Sequence, residues 1–219
     1  MSHLLRIVLP DIPGSLGAVA SALGMAGANI EAIEILEHRP DGSAVDDVFL
    51  DFSPGVLPDM VVSAVQRLDG VRVLWVSRYA ASGNLHLDLE ALEVIAEDPA
   101  KAMQKLTEVL PQTFRSDWAM VVGLDGDQPV RLVATSSSPD VPSDLTSWFP
   151  IERAFRPVVE PSWEGWADCV VAAVPAGGGD RMVLFGRHGG PEILDSELAR
   201  LNHLVTLAAS IEIRVDALS

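Results

Sequence analysis

Apolar and polar positions in the first 80 residues follow two periods, one typical of helices and one typical of strands. Apolar residues that recur every three or four positions predict helices over 16–26 and 57–68. Shorter apolar or alternating runs predict strands at 4–9, 29–37, 45–52 and 71–77. The resulting order is strand, helix, strand, strand, helix, strand, which fits a ferredoxin-like α+β sandwich of the βαββαβ type.

The pattern changes after residue 80. A small, polar segment predicts a linker at 81–86, and two helices follow, separated at Asp98-Pro99, with Pro99 in the first turn of the second helix and Asp98 as its cap. A last helix is predicted at about 195–214, and four strands are predicted at 118–124, 130–135, 169–174 and 181–187. The irregular segment 136–168 is too long for an ordinary loop, so we expect it to cover part of the fold.

The loop after the first strand, residues 10–17, is the best candidate for a ligand site. Pro13 forces a break from the strand, and Gly14 permits close approach of a ligand to the backbone. The first amides of the following helix attract an anion, and Asp11 is placed to accept hydrogen bonds from an ammonium group. One interpretation is therefore a seat for a free amino acid. The other is structural, with Asp11 capping the turn and Ser15 capping the helix.

These residues carry a resemblance. The segment 8–16, the helix after it, the segment 27–31 and the strand that begins at Gly70 resemble the ACT domain, a regulatory module that binds small molecules, often amino acids. In that family the loop after the first strand and the start of the second strand frame the effector, commonly at an interface between two domains. The resemblance implies a ligand site formed by Asp11, Pro13, Gly14, Ser15, Leu16, Asn29 and Ile30. Many members have Asn at the position of Asp11, and the serine-binding type has His where Leu9 stands, which argues against a serine-type site.

The second half resembles a GAF domain, a PAS-like sensory fold, in the order of its elements and in the segment 181–213. The resemblance implies an α/β sensory domain with an antiparallel sheet. No analogue of the Asn-Lys-Phe-Asp-Glu signature of cyclic-nucleotide-binding members is found, which argues against a nucleotide ligand. We therefore predict an ACT domain at 1–80 and a GAF-like domain at 87–219, joined by a linker at 81–86.

Composition narrows the classes of function. The chain has 219 residues and a formal net charge of -16, which argues against nucleic acid or an anionic membrane surface as a partner. A single cysteine excludes a disulfide framework, and no apolar run is long enough for a signal peptide or a membrane span. The expectation is a cytoplasmic protein.

Candidate catalytic groups are few. The five histidines have no partner at metal-ligand spacing, so no metal site is predicted. Cys169 lies in an apolar run and is expected to be a buried structural thiol. Trp163 and Trp166 are expected either to wall a cavity or to anchor the core. Adjacent carboxylates at 46 and 47 point to opposite faces of a strand, which excludes shared acid/base chemistry.

The sequence therefore predicts a regulatory protein without enzymatic activity or cofactor. The ACT domain is expected to bind an amino acid at a homodimer interface, where Asp11 contacts the ammonium group, amides of 14–16 hold the carboxylate, and Asn29 bridges both halves. Two alternatives stay open: the GAF-like half holds the ligand while the ACT half dimerises, or the chain is an interaction module that acts as the regulatory subunit of a partner enzyme or regulator.

Overall fold

The computed structural model describes residues 2–78 and 84–216. The chain divides into two compact units, 1–83 and 84–219. Residues 81–83 of the predicted linker lie outside the described residues, and residues 84–86 belong to the first helix of the second unit. Within the described residues, none of the helices has the length and apolar character needed to cross a bilayer.

The first unit contains four strands and two helices in the predicted order. They are β1 (Ser2–Pro10), α1 (Ser15–Met25), β2 (Ala28–His38), β3 (Ser43–Phe52), α2 (Pro58–Gln66) and β4 (Arg72–Arg78). The strands form one antiparallel sheet in the order β2-β3-β1-β4. This order confirms the predicted ferredoxin-like α+β architecture. Helix α2 is shorter than predicted and ends at Gln66.

The two helices cover one face of this sheet. Alternate residues of β1 and β3, including Ile7 and Val48, pack against Val19 of α1 and Val61 of α2. Since successive strand residues point to opposite faces, Arg6 lies on the other face. There it forms a bidentate ion pair with Asp47, at 2.7 and 2.9 Å, and both side chains are fully buried.

Strand β2 lies at one edge of the sheet and, among the described residues, pairs with β3 alone. Several of its side chains are exposed, and Ile35 is 51% exposed. An edge strand of 11 residues presents unpaired backbone groups along its outer side. The first unit therefore has one long edge at which another strand can pair.

The second unit has three long helices and a second antiparallel sheet. The elements are α3 (Asn84–Glu97), α4 (Ala102–Phe114), β5 (Trp118–Asp125), β6 (Gln128–Ala134), β7 (Cys169–Pro175), β8 (Arg181–His188) and α5 (Asp195–Asp216), with short 3-10 helices at Pro99–Lys101 and Ser143–Trp148. The sheet order is β6-β5-β8-β7. Pro99 lies in the first helical turn as predicted, but the side chain of Asp98 makes no cap hydrogen bond, which corrects the prediction of a capping role.

Each face of the second sheet has its own core. The three helices cover one face, with Leu106 of α4 and Val205 of α5 among the fully buried contacts. The segment 136–168 covers the other face and packs Leu145, Ile151 and two tryptophans onto it. This confirms the prediction that the irregular segment is a cover.

Candidate functional site

The loop between β1 and α1 borders a cavity of about 330 Å³. Its wall combines the loop with side chains from the ends of β2 and β3. The lining residues are Leu9, Pro10, Asp11, Ile12, Pro13, Gly14, Ser15, Leu16, Ile35, Ala44 and Asp46. Five of the seven residues predicted for the site, Asp11, Pro13, Gly14, Ser15 and Leu16, therefore lie together at one cavity.

Gly14 sets the geometry of the helix end. It has a left-handed conformation, with φ of 97°, and occupies the N-cap position of α1. No side chain caps this end, so the expectation that Ser15 is the cap is wrong. The amide of Ser15 donates instead to the carbonyl of Ile12 at 3.2 Å. The amides of Leu16 and Gly17 follow in the first turn, where helix geometry provides no internal acceptor.

Asp11 is tied to the end of β2. One of its carboxylate oxygens lies 2.7 Å from Nδ1 of His38, and its backbone amide donates to the carbonyl of Gly42 at 2.9 Å. Both side chains are about half exposed, at 47% for Asp11 and 63% for His38. The carboxylate therefore pairs with a distant histidine, which corrects the expectation that it caps its own turn.

His38 was missed at the sequence level because it lies 27 positions from Asp11. The pairing pattern explains the contact. Both β1 and β2 run antiparallel to β3, with Pro10 opposite Ser43 and His38 opposite Ala44. The last residues of β1 and β2 therefore lie at the same end of the sheet. The predicted order of strands already implies this proximity.

Asp46 is the least expected residue of the site. It lies on the face covered by the helices, opposite Ile7 and Ile35, and it is 1% exposed. Its Oδ1 atom has no hydrogen-bond partner among the described residues. Burial raises the pKa of this carboxyl to about 6, nearby His38 lowers the pKa, and the charges of Asp11 and Asp47 raise it further. As predicted, Asp46 and Asp47 serve different faces, since Asp47 pairs with Arg6.

Asn29 and Ile30 do not lie at this cavity within one chain. Asn29 is exposed and pairs with Asp51, at the end of the sheet opposite His38. His38 lies nine positions after Asn29 in the same strand, so the two residues are roughly 30 Å apart. These two residues can therefore join the loop site only if a second copy of the chain supplies them.

A second cavity lies between the two helices of the first unit and has a volume of about 670 Å³. Its wall includes apolar side chains of α1 and α2 such as Met25 and Met60, which are largely exposed. The cavity is larger than the loop cavity, but it lacks the buried carboxylate that distinguishes the loop site.

The tryptophans of the second unit anchor the core. Trp166 is fully buried and Trp163 is 8% exposed. Trp166 makes edge-on contacts with Trp118 and Trp163, at 5.0 and 5.5 Å between ring centroids, and its Nε1 donates to the carbonyl of Asp140 at 2.8 Å. Trp148 completes the cluster. Of the two interpretations of Trp163 and Trp166, the structure supports core packing.

Cys169 is the first residue of β7. It is half-buried, which corrects the expectation of full burial. Desolvation raises the pKa of the thiol, the neighbouring Trp118 side chain lowers it, and the charges of Asp117 and Asp168 raise it. A raised pKa disfavours the nucleophilic thiolate. Among the described residues, no group of three His, Cys, Asp or Glu side chains is arranged to hold a metal ion.

Comparisons with known proteins give one family match and several similar structures. Residues 3–60 match the family model of the ACT domain. The structure of free methionine-R-sulfoxide reductase from Neisseria meningitidis, in complex with its substrate, is 13% identical with a TM-score of 0.51, and the match covers 65% of this chain and 98% of that chain. At this identity the likeness concerns the fold alone.

Two GAF-domain structures are also similar, both from phosphoenolpyruvate-protein phosphotransferases. The Acinetobacter domain is 9% identical with a TM-score of 0.46, covering 64% of this chain and 98% of that chain. The Coxiella burnetii domain is 12% identical with a TM-score of 0.47, covering 62% of this chain and 98% of that chain. Among curated proteins, none matches the chain. The family match agrees with the predicted resemblance of the first unit to the ACT domain.

Proposed function

We propose that this chain, in which an ACT domain precedes a GAF-like domain, is a cytoplasmic sensor that binds a free amino acid and signals to a partner protein. The two domains indicate a regulatory small-molecule-sensing module. The observation that carries the proposal is the loop cavity, where an uncapped helix start lies beside two carboxylates. A free amino acid carries one negative and one positive group, which match these two features.

In the proposed complex, the carboxylate of the ligand binds at the start of α1. The amides of Leu16 and Gly17 are available there, and the helix dipole favours a negative charge. The amide of Ser15 contributes less than expected from sequence, because it already donates to Ile12.

The acidic side of the cavity receives the ammonium group. Asp11 keeps a carboxylate at the cavity wall, and its contact with His38 fixes the orientation of that carboxylate.

Isothermal titration of the full chain with the twenty amino acids tests this function. We expect at least one to bind with a dissociation constant below the millimolar range. Asp11→Ala is expected to weaken that ligand about 3- to 10-fold, because a half-exposed charge contributes roughly 1 kcal/mol. Asp69→Ala, an exposed aspartate in the turn after α2, is the control and should leave binding unchanged. If no amino acid binds below the millimolar range, the proposed function is wrong.

A homodimer formed through β2 would bring a second copy of the chain next to the loop site. In such a dimer the two copies of β2 pair antiparallel about a two-fold axis perpendicular to the sheet. One residue of β2 then lies opposite the same residue of the second copy, and this residue defines the register. Pairing centred on Glu34 sets Glu31 opposite Glu37 and Glu34 opposite itself, which like-charge repulsion disfavours. Pairing centred on Ile33 avoids these contacts and sets Asn29 of the second copy opposite Glu37, beside His38. This register brings the backbone of Asn29 from the second copy beside the end of β2, while its side chain lies on the face of Asp51, opposite the face of Asp46.

Substitutions at Ala32 test the register, since Ala32 is exposed and the register sets it opposite Glu34 of the second copy. Ala32→Glu is expected to weaken the dimer about 2- to 30-fold, because two symmetric like-charge pairs each cost about 0.2–1 kcal/mol. Ala32→Lys, which differs mainly in the sign of the charge, should maintain or strengthen the dimer. Sedimentation equilibrium measures both dissociation constants. A monomeric wild type, or equal effects of the two variants, would contradict this register.

In this role the chain carries out no reaction of its own, and its output passes through a partner enzyme or regulator. Ligand binding changes that output only to the extent that the ligand has different affinities for two arrangements of the dimer. The alternative, in which the GAF-like domain holds the effector, has less support because the tryptophans of its cover are packed into the core.

A further inference from the structure

Asp46 is a buried carboxylate in apolar surroundings. Its neighbours across the sheet are Ile7 and Ile35, and its side chain lies on the face that packs against the helices. The residue is 1% exposed, so its carboxylate is almost completely excluded from solvent. Its Oδ1 accepts no hydrogen bond from any described residue. It forms part of the wall of the loop cavity.

The adjacent residue in the chain provides the contrast. Asp47 is also fully buried, but both of its oxygens accept hydrogen bonds from the guanidinium of Arg6. A buried charge normally has such a partner, because an unpaired one loses its hydration without compensation. Among the described residues no donor reaches Oδ1 of Asp46, which leaves room for a donor from outside the chain.

We infer that Asp46 is the specificity-determining residue of the loop cavity, where its Oδ1 accepts a hydrogen bond from the protonated amine of the ligand. This inference rests on the proposed function and names the chemical class of the ligand, a primary ammonium compound. Asp11 then has a secondary role. It is half exposed and already paired with His38, whereas a charge-assisted hydrogen bond to buried Asp46 forms away from solvent.

The surroundings of Asp46 also set a pH dependence. Asp11 from the loop and His38 from the end of β2 lie near it, and Asp47, the next residue in β3, points to the other face of the sheet. The side chains of β1 and α1 at the cavity, Leu9, Ser15 and Leu16, carry no charge. Since the pKa of the Asp46 carboxyl is raised to about 6, the carboxylate is lost as the pH falls through that value. Affinity for an ammonium ligand should therefore fall below about pH 6.

The test compares wild type with Asp46→Asn, which keeps the shape of the side chain and removes its charge. The titrants are the amino acid that binds wild type most tightly and its 2-hydroxy acid analogue, which lacks the amine. Wild type should prefer the amino acid about 10- to 150-fold, the range expected for a hydrogen bond to a charged group. Asp46→Asn should lose most of this preference while binding the hydroxy acid as wild type does, and circular dichroism checks its fold.

The pH dependence of binding provides a second measurement, in which each protein is compared with itself at different pH values. The affinity of wild type for the amino acid should fall between pH 7 and pH 5, and His38→Gln should retain this fall. In Asp46→Asn the fall should be largely absent. If Asp46→Asn keeps both the preference for the amino acid over the hydroxy acid and the pH dependence of wild type, the inference is overturned and the proposed function is not affected.

A panel of simple amines, with putrescine and ethanolamine as the probes, separates the two hypotheses. If no amino acid binds wild type, the proposed function fails. Binding of an amine that is lost in Asp46→Asn would then still support the inference. If neither amino acids nor these amines bind, the inference fails as well.

Discussion

Replacement of Trp166 by alanine is expected to lower the free energy of unfolding of the second unit by about 3–5 kcal/mol. The indole is fully buried in a cluster with Trp118, Trp148 and Trp163. Its removal leaves a large cavity between the cover and the sheet. It also removes the hydrogen bond that ties Nε1 to the carbonyl of Asp140 at 2.8 Å. Both losses destabilise the attachment of the cover segment.

Urea denaturation of the full chain, followed by circular dichroism, measures this change. Val158→Ala is the control within the same segment, because Val158 is 90% exposed and its truncation should cost less than about 0.5 kcal/mol. A loss below about 1 kcal/mol in Trp166→Ala would contradict the role as a core anchor. It would instead favour a tryptophan that walls an open cavity and binds a ligand.

Arg6→Met is expected to destabilise the first unit by about 3–5 kcal/mol, because it leaves the buried charge of Asp47 without its guanidinium partner. The pair joins β1 to β3, the two central strands of the sheet, at positions that lie directly opposite each other. Both side chains are almost completely excluded from solvent, at 1% and 0% exposure. The expected cost is therefore that of a buried charge that has lost its guanidinium partner, and it exceeds that of a surface ion pair.

A double variant separates these two effects. Arg6→Met with Asp47→Leu removes both charges, and its stability should return to within about 1 kcal/mol of wild type. Arg72→Met is the matched control, since Arg72 is exposed on β4 of the same sheet and its loss should cost less than about 0.5 kcal/mol. Equal losses in the single and double variants, measured by urea denaturation, would show that the pair itself stabilises the sheet.

The candidate site was only partly predictable. The segment from Asp11 to Leu16 could be found from sequence because its features are local: a proline and a glycine between a strand and a helix. His38 and Asp46 could not be found in this way, since they reach the loop only through the pairing of β1, β2 and β3. Asn29 stays a prediction, because the structure of one chain separates it from the loop.

The role of each carboxylate was also decided by its surroundings. Asp11, Asp46 and Asp47 are the same residue type, yet one pairs with an exposed histidine, one has an oxygen without a partner and one forms a buried ion pair with arginine. Sequence alternation shows that Asp46 and Asp47 point to opposite faces. It does not show which face holds a cation.

The sequence by itself determined the order of helices and strands, the division of the pattern near residue 80 and the loop at the start of α1. These features follow from the spacing of apolar residues and from proline and glycine, whose effects act over a few residues. Only the tertiary structure decided which polar groups meet at that loop and that the tryptophans fill the second unit. Such contacts join residues far apart in the chain, and they depend on strand register and on packing against a specific face. The loop was a candidate from its sequence, and the inferred ligand chemistry rests on the buried oxygen of Asp46, which has no hydrogen-bond partner among the described residues.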